Sequence, residues 1–217
     1  GIGVYYFTNN SARTREQIAK TLSDMGIFAT PDMVYSASGA AARYIVEKGL
    51  EKVFVLGSED LRGELSERGV DFAPSLFEAR TLVLGLDRNF SYESAKNLLS
   101  LRGKDVKLVA CNVDLVFPVE GGVLAPGCGL MARAAELLLD KKVDCCVGKP
   151  NTYMADLLLA DTGLEKDDIV IVGDSLESDI ALAEALGARS IFLSHDASKK
   201  GGDATIATLD EIFSLIK

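Results

Sequence analysis

Short runs of apolar residues recur along the chain, and between them lie longer stretches whose apolar positions repeat with the period of a helix. The first run, Val4 to Phe7, reads as a buried strand. Thr14 to Gln17 then form a T-x-x-Q capping box that opens a helix ending near Gly26. A helix begins near Gly39, followed by a strand at Lys52 to Leu56 and a helix at Glu59 to Arg68. The alternation continues with a strand at Thr81 to Leu86, a helix at Tyr92 to Leu101 and a strand at Val106 to Ala110. After the Gly- and Pro-containing stretch Pro118 to Gly129, a helix at Leu130 to Leu139 leads to a strand at Val143 to Val147. The helix Thr152 to Ala160, the strongly apolar strand Asp168 to Val172, the helix Glu177 to Leu186 and the strand Ser190 to Leu193 follow, and a last helix spans Leu209 to Lys217. Strands and helices that alternate from end to end predict a parallel sheet flanked by helices, so the fold class is α/β.

The block from about 39 to 126 has its own strand-helix-strand-helix-strand series, with small residues at one boundary and Gly and Pro at the other. It reads as an inserted α/β domain. The outer pieces, 1–38 and 127–217, are then expected to pair into one Rossmann-like parallel sheet.

Composition narrows the function. With 217 residues, 48% of them apolar, the chain can bury a sizeable core. No apolar run reaches the roughly 18 residues of a membrane span, and no basic-then-apolar signal opens the chain, so a cytoplasmic setting without a membrane partner is expected. The net charge of −9, with scattered Lys and Arg, lacks the basic footprint of a nucleic-acid binder. An acidic protein that handles an anion must concentrate positive potential locally, through a metal, a lysine or a helix N-terminus. Cys111, Cys128, Cys145 and Cys146 form no C-x-x-C pair and read as buried, inert thiols.

Three polar clusters follow strands of the outer pieces directly, at the carboxyl ends where α/β sheets form their ligand crevice. Their positions suggest that they converge. Thr8-Asn9-Asn10-Ser11 offers a hydroxyl, amides and backbone N–H groups suited to an oxyanion, although the same residues also make ordinary turns. Gly148-Lys149-Pro150 places a lysine at a strand terminus, where its point charge can meet a phosphate and a carboxylate. In Gly173-Asp174-Ser175-Leu176-Glu177-Ser178-Asp179 a strand delivers Asp174 at its tip, and Asp179 can look back at the same point. Hard oxygen ligands on a loop, with room for water and a substrate phosphate, are what Mg²⁺ favours. The bland alternative makes Asp174 a turn residue and Asp179 a favourable charge near a helix start.

In this order and spacing the clusters resemble motifs two, three and four of the haloacid dehalogenase superfamily. VYYFTNNS (Val4 to Ser11) is similar to the strand and hydroxyl of motif two, Lys149 in VGKP to the motif-three lysine, and Asp174 with Asp179 to the G-D-x-x-x-x-D of motif four. The double asparagine and the V-G-K-P context point to the NagD-like, nitrophenylphosphatase and phosphoglycolate phosphatase-like branch, which carries a cap domain between motifs two and three. The resemblance implies a Mg²⁺-dependent phosphatase of small phosphorylated metabolites that works through an aspartyl-phosphate. It implies that Thr8, Asn9 and Asn10 hold the phosphoryl group, that Lys149 neutralises it and orients the nucleophile, that Asp174 ligates the metal and that Asp179 orients from behind. Asn112 and Asp114, at the end of a predicted strand of the cap, are the candidates for leaving-group contact. A homodimer through the cap follows by analogy.

One departure matters. The family's nucleophile and general acid lie in a D-x-D, and no D-x-D occurs in these 217 residues, which begin Gly1-Ile2-Gly3-Val4 without an initiator Met. The expectation is therefore a truncated chain that does not turn over by itself, because covalent phosphoryl transfer needs an attacking carboxylate. The rival reading is a catalytically dead relative that senses a phosphate ester. Gly127-Cys128-Gly129-Leu130-Met131-Ala132 fits the G-x-G-x-x-A of a dinucleotide fingerprint, but no clear buried strand precedes it. A serine hydrolase is disfavoured, since there is no G-x-S-x-G and His195 is the single histidine.

Overall fold

The computed structural model describes residues 2–216, apart from the side chain of Glu120. The chain forms two compact units, 1–148 and 149–217.

In the first unit β1 (Tyr6–Thr8) and α1 (Arg15–Asp24) are followed by β2 (Val34–Ser36), which runs parallel to β1 with Thr8 opposite Ser36. The expected capping box is present: Thr14 Oγ1 accepts the Gln17 N–H at 3.3 Å, and Gln17 Oε1 accepts the Thr14 N–H at 3.4 Å. Each bond satisfies a donor that a helix start otherwise leaves open. α2 (Ala37–Glu47) follows β2 without a loop, and Ser36 caps it by accepting the Gly39 N–H at 3.2 Å.

β3 (Val53–Leu56), α3 (Glu59–Glu67), β4 (Thr81–Leu84), α4 (Tyr92–Leu99) and β5 (Lys107–Ala110) repeat the strand-helix alternation. A small antiparallel hairpin of β6 (Val116–Pro118) and β7 (Leu124–Pro126) then precedes α5 (Cys128–Leu139) and β8 (Cys145–Cys146). The main sheet has the order β3-β4-β5-β8, with every neighbour parallel. Leu82, Leu84, Leu108 and Ala110 of this sheet share one core with Met131, Ala132, Ala135 and Leu139 of α5. Burial of each such leucine contributes about 1.5–3 kcal/mol. That apolar stripe draws α5 and β8 into the sheet of the middle block, and the sequence boundaries at 38/39 and 126/127 both fall inside the first unit. A polar tie joins α1 to α3: Glu64, 2% exposed, accepts the Arg15 N–H at 2.8 Å, and burial pushes its carboxyl up.

The second unit contains α6 (Tyr153–Thr162), β9 (Val170–Gly173), α7 (Ala181–Leu186), β10 (Arg189–Leu193), β11 (Ala204–Ile206) and α8 (Ile212–Leu215). Its parallel sheet has the order β11-β10-β9. Gly163 and Gly187, with φ of 71° and 74°, end α6 and α7 in the left-handed conformation that glycine accepts without strain. β9, read from the sequence as a strongly apolar strand, is half-buried along its length; among the described residues of this unit it pairs with β10 alone. Among the described residues no helix is long and apolar enough to cross a membrane.

Candidate functional site

In the first unit, the turn after β1 is held from several sides. The Asn10 N–H donates to Thr8 Oγ1 at 3.2 Å, and Asn10 Oδ1 accepts the Ala12 N–H at 2.9 Å, so the turn is closed by its own side chains. Asn9 is gripped by the segment after β5. Its carbonyl accepts from Asn112 Nδ2 at 2.6 Å, and its own Nδ2 donates to Asp114 Oδ2 at 3.0 Å. Asn112 Oδ1 in turn accepts the Asp114 N–H at 3.0 Å. Ser11, also buried, accepts the Leu86 N–H at 3.0 Å.

These residues border a cleft of about 670 Å³ that lies wholly within the first unit. One wall is Thr8 to Arg13; the others are the residues that follow β3, β4 and β5 (57–60, 86–89, Asn112 and Asp114), with Phe117, Gly127 and Cys128. Thr8, Asn9, Asn10, Asn112 and Asp114 are thus brought together. Sequence reasoning passed over Arg13, Asp87 and Arg88, which line the same cleft. The signal was available for Asp87 and Arg88, because they follow the carboxyl end of a predicted strand just as Asn112 does.

Lys149, Asp174 and Asp179 belong to the second unit. Lys149, 8% exposed and followed by a cis peptide bond to Pro150, donates from Nζ to Asp179 Oδ1 at 2.5 Å. Asp179 Oδ2 accepts the Ser175 N–H at 3.2 Å, so both carboxylate oxygens of this 7% exposed residue are engaged. A wide turn at Leu176–Ile180 produces the geometry. The N–H groups of Asp179 and Ile180 both donate to the Ser175 carbonyl, at 2.9 and 3.1 Å, and the five-residue spacing swings Asp179 back over the end of β9. There its carboxylate lies where a side chain on Gly173 would be, and a Cβ at 173 would collide with it.

Asp174 stands differently. Its side chain is exposed at the tip of β9, and its carboxylate makes no hydrogen bond or ion pair among the described residues. Among the described residues no three His, Cys, Asp or Glu side chains are grouped to hold a metal. A single free carboxylate on a strand tip nevertheless suits Mg²⁺, which binds through one or two carboxylates and takes water and phosphate oxygens for the rest.

The glycines of Gly127-Cys128-Gly129 have a different use from a cofactor fingerprint. Their N–H groups donate to the Leu115 and Asp114 carbonyls, at 2.8 and 2.9 Å, and a Cβ on either would collide with the Val113–Asp114 backbone. The close approach is taken up by the protein's own loop. All four cysteines are free. Burial pushes the Cys111 thiol well up, Cys128 to about 12 and Cys146 to about 11, and Cys128 Sγ donates to the Leu84 carbonyl at 3.2 Å.

Comparison with known proteins gives two matching family models, one of haloacid dehalogenase-like hydrolases over residues 1–71 and one described as HAD-hydrolase-like over 146–211. The sugar-phosphatase AraL of Bacillus subtilis is 30% identical over 218 residues, covering 100% of this chain and 79% of the relative. Glycerol-3-phosphate phosphatase of Gallus gallus is 32% identical, over 84% of this chain and 65% of the relative. The solved p-nitrophenyl phosphatase of Archaeoglobus fulgidus superposes with a TM-score of 0.86 at 28% identity, covering 98% of this chain and 86% of that one.

Proposed function

The chain belongs to the haloacid dehalogenase superfamily, in its NagD and p-nitrophenylphosphatase-like branch, and on that premise we propose that it serves the Mg²⁺-dependent hydrolysis of small phosphomonoesters. The carrying observation is the pair of roles at the end of β9, where Asp179 is committed to Lys149 while Asp174 is left exposed. A lysine held by a buried carboxylate has a fixed direction, and a point charge so directed is what a phosphoryl group must meet. Bound at Asp174, Mg²⁺ supplies further positive charge at the phosphate oxygens. Thr8, with Asn9 and Asn10, is assigned hydrogen bonds to the phosphoryl group, and Asp114, which lines the same cleft, is assigned contact with the leaving group. Relatives named for a sugar phosphate, glycerol-3-phosphate and p-nitrophenyl phosphate support a small ester as substrate.

Phosphoryl transfer depends chiefly on positioning and on charge stabilisation, and the residues of this chain are assigned those tasks. The aspartyl-phosphate route requires in addition an attacking carboxylate of D-x-D type, which these 217 residues do not contain. The test is release of phosphate from p-nitrophenyl phosphate with Mg²⁺ by the whole gene product, compared with Lys149→Ala and Asp174→Ala. Each substitution is expected to lower kcat by about a hundredfold or more. Unchanged rates in both variants would end the proposal, and tight binding of phosphate esters without turnover in the wild type would replace it with the sensor reading.

A further inference from the structure

The sequence presents Asn112 as a leaving-group contact, but its amide is already engaged on both sides. It is 4% exposed, Nδ2 donates to the Asn9 carbonyl at 2.6 Å, and Oδ1 accepts the Asp114 N–H at 3.0 Å. The Asn9 carbonyl and the Asn10 N–H belong to one planar peptide unit, so a donor that fixes the carbonyl also fixes the direction of that N–H. The Asn10 N–H donates to Thr8 Oγ1 at 3.2 Å. A hydroxyl that accepts from a fixed direction has its own hydrogen left to donate elsewhere.

We infer that Asn112 is a positioning residue of the phosphate site: through the Asn9–Asn10 peptide it orients the Thr8 hydroxyl as a donor to the phosphoryl group. This rests on the phosphatase reading above. Two further contacts stiffen the relay. Asn9 Nδ2 donates to Asp114 Oδ2 at 3.0 Å, and Gly148 leaves no space beside the Asn9 side chain, since a Cβ there would fall 2.7 Å from Asn9 Oδ1. The short bond to the Asn9 carbonyl is made from a buried amide, where a donor cannot be replaced by bulk water without cost.

The decisive substitution is Asn112→Asp. It keeps the shape and the acceptor for the Asp114 N–H, but it replaces the donor by a carboxylate oxygen that repels the Asn9 carbonyl. In the whole gene product, with p-nitrophenyl phosphate and Mg²⁺, kcat is expected to fall by about tenfold or more. Inorganic phosphate is expected to bind more weakly when titrated calorimetrically. In a Thr8→Ala background the same change is expected to alter kcat by less than about threefold, because the group it acts through is gone. A purely structural role would lower both backgrounds equally. Should Asn112→Asp fail to fold, Asn112→Ala, which buries no charge, carries the same comparison. Equal losses with and without Thr8, or a wild-type rate and phosphate affinity in a folded Asn112 variant, overturn the inference and leave the phosphatase reading standing. A wild-type protein that neither turns over the ester nor binds phosphate overturns both.

Discussion

Gly173→Ala is the most informative stability test, because general expectation and this structure disagree about its sign. A glycine within a strand is worth about 0.5–1 kcal/mol less than alanine, so the substitution should stabilise if backbone entropy were the whole matter. Here the new methyl group would enter the space of the Asp179 Cβ, Cγ and Oδ2. Asp179 must move, and in moving it gives up the 2.5 Å bond from Lys149 and the 3.2 Å bond from the Ser175 N–H. Separating a buried ion pair costs about 3–5 kcal/mol, and the lower end applies here because both side chains keep slight exposure, 10% and 11%. For a chain of this length a loss of about 3 kcal/mol lowers the melting temperature by about 6–12 °C. Thermal denaturation followed by circular dichroism reads this directly. Gly63→Ala is the control: Gly63 lies inside α3 with nothing within 4 Å of the place a Cβ would take, and its replacement should stabilise by about 0.5–1 kcal/mol. A Gly173→Ala protein that melts at or above the wild-type temperature would refute the proposed crowding of Asp179.

Two further expectations concern titration. For Glu136 and Asp144 burial pushes the carboxyl up, but the Val143 and Leu108 N–H groups and neighbouring Arg and Lys side chains outweigh it, and both are held below the ordinary carboxylate value. The unfolded chain then binds more protons on acidification, so their contribution is complete above about pH 5 and is lost as pH falls further. Urea midpoints measured across that range should decline in the wild type and decline less in Asp144→Asn; parallel curves would count against it. The thiols give the second: Cys111 and Cys128 should resist iodoacetamide in the native protein at mildly alkaline pH and react in urea, as mass spectrometry of labelled peptides will show. Native labelling of Cys111 as fast as in the unfolded chain would contradict its burial.

The helices and longer strands were legible because each carried a local signal. The Thr14–Gln17 box marked the start of α1, and Thr81 to Leu84, buried at every position, read as a strand from its apolar run. Four strands escaped. β2 and β11 have three residues each, too few for a period, and in the hairpin Pro118 and Pro126 occupy strand positions where proline argues against a ladder. The candidate site residues were legible as residue types at strand ends, but their hydrogen-bond allegiances were not. Nothing in the order Asn112-Val113-Asp114 reveals that the first amide closes on a carbonyl 103 residues away. The wide turn at 176–180 was likewise invisible, since Glu177 to Leu186 has an ordinary helical pattern and the extra residue in the first turn alters only the direction of Asp179.

The contact of Gly127 and Gly129 with the 113–115 segment bears on how selectivity can change in this protein. Asp114 and Phe117 face the cleft, yet the segment that carries them is seated on the start of α5 through backbone hydrogen bonds from Gly127 and Gly129. A bulkier residue at Gly129, which does not line the cleft, would tilt that wall without altering any group that meets a ligand. Preference among substrates can therefore drift through a position that no inspection of bound-ligand distances would nominate, and a mutational search confined to the lining would miss it.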